Sequence, residues 1–339
     1  MSLRYARSAL LAAAFTATAA FAQTAAPPAS TPAATSPAPA ATPAVSAVPA
    51  TPAAPPSPVT GIRNKISAGD LLSAESILDV HREKNGEDGQ YLVGLSWLAR
   101  GAQMLGEDAK ADRYVADVRA RCAEKLKAGA TLETDHDLEI ALGAAIEVEA
   151  QRIQARQGAK AAVAFLQKEL AARQGPVAFR SRLYKRLNML DLVGQPAPEL
   201  VIEDFQGAQP PTLAQLRGKP VLLFVWSQTC GDCRAQAAGL ARTVKRHESK
   251  GLRTVALTRF YSDETDHAAW KARADSVWSA DYKDVGTVPM VFSSASMERY
   301  GGSSTPTFVF VDRTGIVRGY TPTRLTDAEF DKALAIIER

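Results

Sequence analysis

Two cysteines separated by two residues, Cys230 and Cys233, follow directly after the apolar run at 221–226. The run predicts a buried strand, and the residues after it predict a helix. Cys230 would then lie in the first helical turn, where unpaired backbone N–H groups and the positive end of the helix dipole favour a thiolate. Such a position lowers the pKa of a thiol from about 8.5 towards about 7 or below. Cys233, about one turn further on, can attack the mixed disulfide that Cys230 forms with a substrate. The pair therefore predicts a redox site.

Zinc sites use the same cysteine spacing, so a metal is the first alternative. A structural zinc ion needs two further ligands, and no second CxxC motif or paired histidines follow in the sequence. We therefore favour redox chemistry over a metal half-site or a merely structural pair, and expect no metal and no cofactor.

The third cysteine, Cys122, is expected to be a core residue. Val115, Val118, Cys122 and Leu126 share one face of a predicted helix. A buried, unreactive thiol fits this position better than a third redox partner does. Three cysteines are also too few for the disulfide framework of a small secreted domain.

The amino terminus carries the pattern of an export signal. Arg4 and Arg7 precede a short apolar stretch at 9–22 that ends in small residues. This pattern is typical of a cleaved secretory signal peptide at 1–22, and it predicts a mature protein in the periplasm. Because the run is shorter than the roughly 20 residues that span a bilayer, an uncleaved membrane anchor is the less favoured alternative.

The charged residues give no support for nucleic-acid binding. The chain of 339 residues has 40 basic and 36 acidic side chains, which leaves a formal net charge of +4. The basic residues form no concentrated run, so we expect no nucleic-acid partner.

Residues 23–192 divide into a linker and a helical domain. The linker, 23–59, consists almost wholly of Ala, Pro, Thr and Ser, and is expected to be disordered and extended. From 60 to 192, apolar residues recur at helical spacing between glycine-containing breaks. The pattern predicts an all-α domain of helical hairpins, either a tetratricopeptide-like array or an irregular bundle. Such a domain could bind a protein partner, dimerise or give structural support. The candidate helices are 70–84, 90–105, 109–126, 135–156, 159–173 and 177–190.

From residue 193 to 339 the chain alternates between strands and helices. Its parallel βαβ beginning, later hairpin and final helix predict an α/β domain with a mixed central sheet flanked by helices. The predicted strands are 199–203, 221–226, 253–257, 290–292, 307–311 and 316–320, and the predicted helices are 230–247, 263–277, 295–300 and 327–338.

Four segments of this domain resemble the thioredoxin superfamily, and within it the periplasmic TlpA/ResA-type thiol–disulfide oxidoreductases. They are GQPAP at 194–198, LRGKPVLL at 216–223, WSQTCGDCR at 226–234 and YGGSSTPTFVFVD at 300–312. The resemblance covers 193–339 and implies a thioredoxin-like fold. It also implies an enzyme that exchanges disulfides with envelope proteins, acting as a reductant supplied by a membrane thiol donor.

The resemblance implies roles for individual residues. Cys230 would attack the substrate disulfide and Cys233 would resolve the mixed disulfide. Pro306 would follow a cis peptide bond, with the Thr305 backbone pairing with an incoming peptide strand. Trp226, beside the redox pair, would complete the substrate-binding set.

Two further residues are expected to set the redox potential, and two others differ from those of the family. Gly231 and Asp232, between the cysteines, would tune the potential, since the Asp232 charge disfavours a neighbouring thiolate. Phe224 and Gln236 stand where related proteins carry a buried acid that moves a proton to or from the second cysteine. Candidates for the missing acid are Asp232, Asp263 and Glu264.

Two other functions remain open at this point. A redox-sensing adaptor would act through its helical partner-binding domain. A peroxiredoxin would share the fold, and Ser227 fits its motif, but no proline lies in the preceding strand.

Overall fold

The computed structural model describes residues 57–261 and 265–339. The signal peptide expected at 1–22 and all but the last three residues of the linker expected at 23–59 lie outside the described residues. Within the described part of the chain, no helix has both the length and the apolar character needed to cross a membrane.

Seven helices form the first half of the described chain. The six predicted ones are present, with ends within about two residues of their expected positions, and α1 was not predicted. It begins at Pro58, inside the expected linker, because Ser57 caps its N-terminus and proline suits the first helical position. The bounds are α1 Pro58–Ser67, α2 Leu71–Asn85, α3 Gly89–Met104, α4 Asp108–Lys127, α5 His136–Gln157, α6 Ala159–Ala172 and α7 Val177–Asp191.

Each of these helices packs on the next one in the chain. In addition, α3 packs on α1, α5 on α3, and α7 on α5. Stacked helical hairpins pack in this way. That they are tetratricopeptide repeats remains a prediction. The buried side chains of all seven form one apolar core, which includes Cys122.

The second half is a mixed sheet flanked by helices, as predicted. The sheet order is β1-β4-β3-β2-β5-β6. Strands β2, β3 and β4 are parallel to one another, whereas β1 pairs antiparallel with β4, β5 with β2, and β6 with β5. The strands are β1 Asp204–Gln206, β2 Val221–Val225, β3 Arg253–Thr258, β4 Met290–Phe292, β5 Thr307–Val311 and β6 Val317–Thr321; the helices are α8 Gly231–His247, α9 His267–Asp281, α10 Ser294–Arg299 and α11 Asp327–Ile337.

Both faces of the sheet are covered, so its central strands are apolar on both sides. Phe224 points into one core, which it shares with α8, α9 and α11. Leu223, one residue earlier, points into the other, which is closed by α10 and the segment around Leu192 and Leu200. This layering places the N-terminus of α8 at the carboxyl end of β2.

Two predicted elements of this half are misplaced. The strand expected at 199–203 is wrong, because side chains satisfy the backbone groups there and nearby: the Ser296 hydroxyl bonds the Val201 backbone, while the Glu203 carboxylate caps α10. Strand β1 follows at Asp204 instead. Helix α9 begins at His267 and not at 263, because Asp266 caps its N-terminus.

Candidate redox site

Cys230 lies at the N-terminus of α8, as its N-cap and not within the first turn. Its Sγ accepts a hydrogen bond from the Cys233 backbone N–H at 3.0 Å. The two cysteines are joined in a disulfide, with 5.2 Å between their Cα atoms. The cap position still directs the helix N–H groups at the sulfur, so it favours the thiolate that sequence reasoning required.

The two sulfurs differ in access to solvent. Cys230 is half-buried, whereas Cys233 is 0% exposed and belongs to the apolar core beneath α8. A bulky disulfide substrate can therefore reach only Cys230. Cys233 is accessible only to its neighbour, which suits a resolving thiol.

The Thr305–Pro306 peptide bond is cis, and it lies directly opposite Cys230. The Thr305 carbonyl oxygen is 3.2 Å from the Cys230 Sγ. Thr305 is half-buried and Pro306 is buried. The hydroxyl of Ser304, one residue before Thr305, donates to the Pro322 carbonyl oxygen and ties this segment to the chain that follows β6.

Trp226, which the resemblance places in the substrate-binding set, lies beside the redox pair in the core. Its side chain is 0% exposed and lies among the rings of Phe224, Trp278 and Tyr282 at centroid distances of 5.3–6.3 Å. It shares a buried cluster with Cys233. In this structure Trp226 thus packs in the core beneath the redox pair, and its part in substrate binding remains a prediction.

Gly231 and Asp232, the two residues between the cysteines, are exposed. Asp232 has a cationic neighbour that sequence reasoning missed: its Oδ1 lies 3.8 Å from an Arg324 guanidinium nitrogen. A Cβ placed on Gly231 would meet no described atom within 4 Å. No sequence pattern links Arg324 to the motif, since the fold alone brings the chain after β6 to this edge.

Gln236 is buried and is committed to the backbone. Its carboxamide accepts from the Leu325 N–H at 2.8 Å and donates to the Leu325 carbonyl oxygen at 3.0 Å. Phe224 is a core residue, so neither position supplies a proton. Asp263 and Glu264 lie outside the described residues. Of the three candidates for the acid that exchanges a proton with Cys233, Asp232 is the one whose position the structure describes.

Two aromatic side chains follow β3, the parallel neighbour of β2. Phe260 and Tyr261 follow the carboxyl end of β3 and pack, partly buried, against the same cluster as Cys230. The Tyr261 ring lies 5.4 Å from that of Trp270 and 4.0 Å from the Arg259 guanidinium carbon. Ligands commonly bind at this edge of such sheets.

Cys122 takes no part in the site. It is fully buried in the helical core, and this burial raises the pKa of its thiol to about 12. No cluster of three or more His, Cys, Asp or Glu side chains that could hold a metal occurs among the described residues.

Comparison with known proteins gives a match in this half of the chain. Residues 193–320 match the model of the AhpC/TSA family. No curated protein matches.

Several solved structures are also similar. A putative thiol:disulfide interchange protein DsbE from Chlorobium tepidum is 18% identical, with 43% of this chain and 98% of that chain covered and a TM-score of 0.35. A secreted disulfide oxidoreductase from Mycobacterium tuberculosis, homologous to E. coli DsbE, is 21% identical, with coverages of 36% and 85% and a TM-score of 0.29. A putative protein disulfide isomerase from Bacteroides thetaiotaomicron is 18% identical, with coverages of 43% and 87% and a TM-score of 0.35. Residues 193–320, which include the redox pair, are thus similar to the AhpC/TSA family.

Proposed function

We propose that this protein is an exported thiol–disulfide oxidoreductase that reduces disulfides of periplasmic proteins. The observation that carries the proposal is the position of the Cys230 Sγ, bonded to Cys233 and held between the Cys233 N–H and the Thr305 carbonyl oxygen. One accessible and one buried sulfur, both at a helix N-terminus, supply an attacking and a resolving thiol.

The reaction follows from this arrangement. In the reduced protein, the Cys230 thiolate attacks one sulfur of a substrate disulfide, forms a mixed disulfide and releases the other sulfur as a thiolate. Cys233, once deprotonated, attacks the Cys230 sulfur, closes the internal disulfide and releases the second substrate thiolate. Two electrons pass from the dithiol to the substrate. A thiol donor, which we place at the membrane, must then reduce the pair again.

Recognition of the substrate is assigned to the Thr305 backbone beside the cis bond. Thr305 is half-buried and close to the attacking sulfur, so an extended peptide that pairs with it would present its disulfide to Cys230. Pro306 holds the segment in place from the buried side. Protein disulfides are therefore the proposed substrate class.

Insulin reduction by the full chain tests the activity. With dithiothreitol as electron donor, we expect the wild type to precipitate the insulin B chain and Cys230→Ser to be inactive. A wild type no faster than Cys230→Ser would contradict the proposal and favour the redox-sensing adaptor. Cys233→Ser, expressed in the native host, should accumulate mixed disulfides that identify the substrates.

A peroxidase test addresses the second enzymatic alternative. Dithiol exchange is favoured because β2, the strand before Cys230, carries no proline, so the peroxiredoxin motif is incomplete. We expect hydrogen peroxide to be consumed much more slowly than insulin disulfides. Faster consumption of hydrogen peroxide than of insulin disulfides would support a peroxiredoxin.

A further inference from the structure

The segment that carries Thr305 to the redox pair is held by the last helix of the helical region. Helix α7 packs on α10, and polar bonds join them directly. Arg180 Nε lies 2.9 Å from Glu298 Oε1, and Asn188 Nδ2 donates to the Arg299 carbonyl oxygen at 2.8 Å. Glu298 and Arg299 lie three and two residues before Gly301.

Gly301 shows how closely α7 approaches this turn. Its φ of +70° is a conformation that favours glycine, and a Cβ there would lie 2.5 Å from the Lys185 Cα. From the other side, Tyr320 Oη would be 2.6 Å away, and it donates to the Tyr300 carbonyl oxygen at 3.0 Å. The turn is therefore fixed between the backbone of α7 and a side chain of β6.

Asn188 makes one of these contacts from a buried position. It is 6% exposed, and its Nδ2 donates to the Arg299 carbonyl oxygen at 2.8 Å. A hydrogen bond at such a buried position is costly to lose. Asn188 therefore joins α7 to α10 directly before the turn at Gly301.

The position of α7 is in turn set by the helical core. Glu147 of α5 is 4% exposed at its side chain and pairs with Lys185 of α7 at 2.7 Å and with Arg100 of α3 at 2.9 Å. Breaking such a buried pair is costly, so α7 cannot shift easily against α3 and α5. A continuous set of contacts thus runs from the helical core to the turn before Thr305.

We propose that α7 positions the substrate-binding segment 301–306, and that Asn188 is a positioning residue for disulfide exchange with peptide substrates. The proposal rests on the proposed function and gives the helical region a part in the reaction. Thr305 lies four residues beyond Gly301, and peptide pairing depends on its backbone. A displacement of about 1 Å at this segment would weaken that pairing, since reacting groups tolerate little misplacement. The Cys230–Cys233 chemistry, anchored on α8, would be unaffected.

Kinetics of the full chain test the proposal with Asn188→Ala, Glu298→Gln and the control Met189→Ala. Met189 is exposed on the same helix as Asn188. Loss of one hydrogen bond predicts an increase in the KM for insulin of about three- to tenfold in Asn188→Ala. We expect a smaller increase in Glu298→Gln and none in Met189→Ala. The midpoint potential and the rate with hydroxyethyl disulfide, which has no peptide backbone, should remain at wild-type values in all three.

Three results would overturn the proposal: an unchanged insulin KM in folded Asn188→Ala and Glu298→Gln, an equal increase in Met189→Ala, or a matching loss of rate with hydroxyethyl disulfide. If Asn188→Ala fails to fold, Glu298→Gln decides. Hydrogen exchange of 300–306 adds a measurement that needs no activity, and it should be faster in Asn188→Ala than in Met189→Ala. A wild type that fails to reduce insulin would refute the proposed function alone, and hydrogen exchange would then decide on positioning.

Discussion

At the redox motif, two opposite charges act on the Cys230 sulfur. Asp232 disfavours a neighbouring thiolate, and the guanidinium of Arg324, 3.8 Å from Asp232, partly offsets that effect. Both side chains are more than half exposed, so solvent screens the pair. The net influence on the redox potential should therefore be small but measurable.

The first prediction concerns Asp232→Asn. Removing the negative charge stabilises the Cys230 thiolate and hence the reduced form, so the midpoint potential should rise by about 5 to 20 mV. Arg324→Gln should lower it by a similar or smaller amount, because the cation favours the thiolate. Equilibration with glutathione buffers measures both. An unchanged potential in Asp232→Asn would show that the motif charge plays no tuning role.

Gln236 illustrates a residue whose role the sequence could not indicate. The resemblance places it where related proteins carry a proton-shuttling acid, so it could be recognised as a departure. Its partner Leu325 lies 89 positions away in sequence, and the reciprocal bonds between them exist only in the folded chain. By contrast, Cys230 and Cys233 follow from a local motif and the cis bond before Pro306 from the family resemblance, which is why they were predictable.

We therefore predict that Gln236→Glu destabilises the protein without creating a useful acid. A carboxylate can accept from the Leu325 N–H but cannot donate to its carbonyl oxygen, which would cost about 1–3 kcal/mol at neutral pH. The deficit should shrink at lower pH, where a protonated Glu regains a donor. Urea unfolding of both proteins between pH 4 and pH 7 measures it. A deficit that grows on acidification would contradict the prediction.

At the scale of elements, apolar burial and not surface charge holds α11 on the sheet. Arg242 of α8 makes two bonds to Asp327 of α11, at 2.7 and 3.0 Å, but both side chains are exposed. Phe330 is fully buried, with its ring 4.8 Å from that of Phe308. Exposed ion pairs contribute little, whereas a buried aromatic ring removes a large apolar area from water.

The corresponding prediction compares Phe330→Ala with Arg242→Ala. The first should lower the free energy of unfolding by about 3–5 kcal/mol, since it leaves a cavity between α11 and β5. The second should change it only slightly. Urea unfolding midpoints give both values. Equal losses in the two variants would mean that the ion pair, and not the ring, fixes the helix.

The contrast between apolar periodicity and long-range polar contacts explains which elements were predictable. Helices α2–α7 and strands β2–β5 have strong apolar periodicity, and their ends were predicted closely. Helix α1 was missed because Pro58 resembles the end of the linker, although proline also begins helices. The strand expected at 199–203 was wrong because its polar groups bond to α10, which begins some 90 residues later. Long-range partners of this kind leave no periodic pattern.

At the scale of the molecule, Glu147 links the helical core to the redox half. Its partner Lys185 lies against the turn at Gly301, and the described residues belong to one compact unit, Pro55–Arg339. Burial opposes the charged carboxylate, yet Lys185, Arg182 and Arg100 outweigh it, so the pKa of Glu147 lies below its ordinary value. This carboxylate therefore stabilises the fold at neutral pH.

The last prediction is that Glu147→Gln destabilises both halves together. It leaves three partly buried cations without their counter-charge, at a cost of about 1–3 kcal/mol. Far-UV circular dichroism reports mainly the helices, while three of the four tryptophans, including Trp226, report the redox half by fluorescence. Both transitions should shift to lower temperature by the same amount in the variant. A fluorescence transition that stays at the wild-type temperature would show that the two halves unfold independently.

The pH dependence of the stability difference between wild type and Glu147→Gln tests the same prediction. A carboxyl with a depressed pKa in the folded state stabilises above its unfolded pKa of about 4.3 and loses that contribution as the pH falls through the folded value. The difference in stability between wild type and Glu147→Gln should therefore be constant above about pH 5 and should shrink below about pH 4. A difference that instead grows on acidification would mean that Glu147 is protonated in the native protein. In that case the three cations would not be neutralised by this residue, and the contacts of α7 with the redox half would need another anchor.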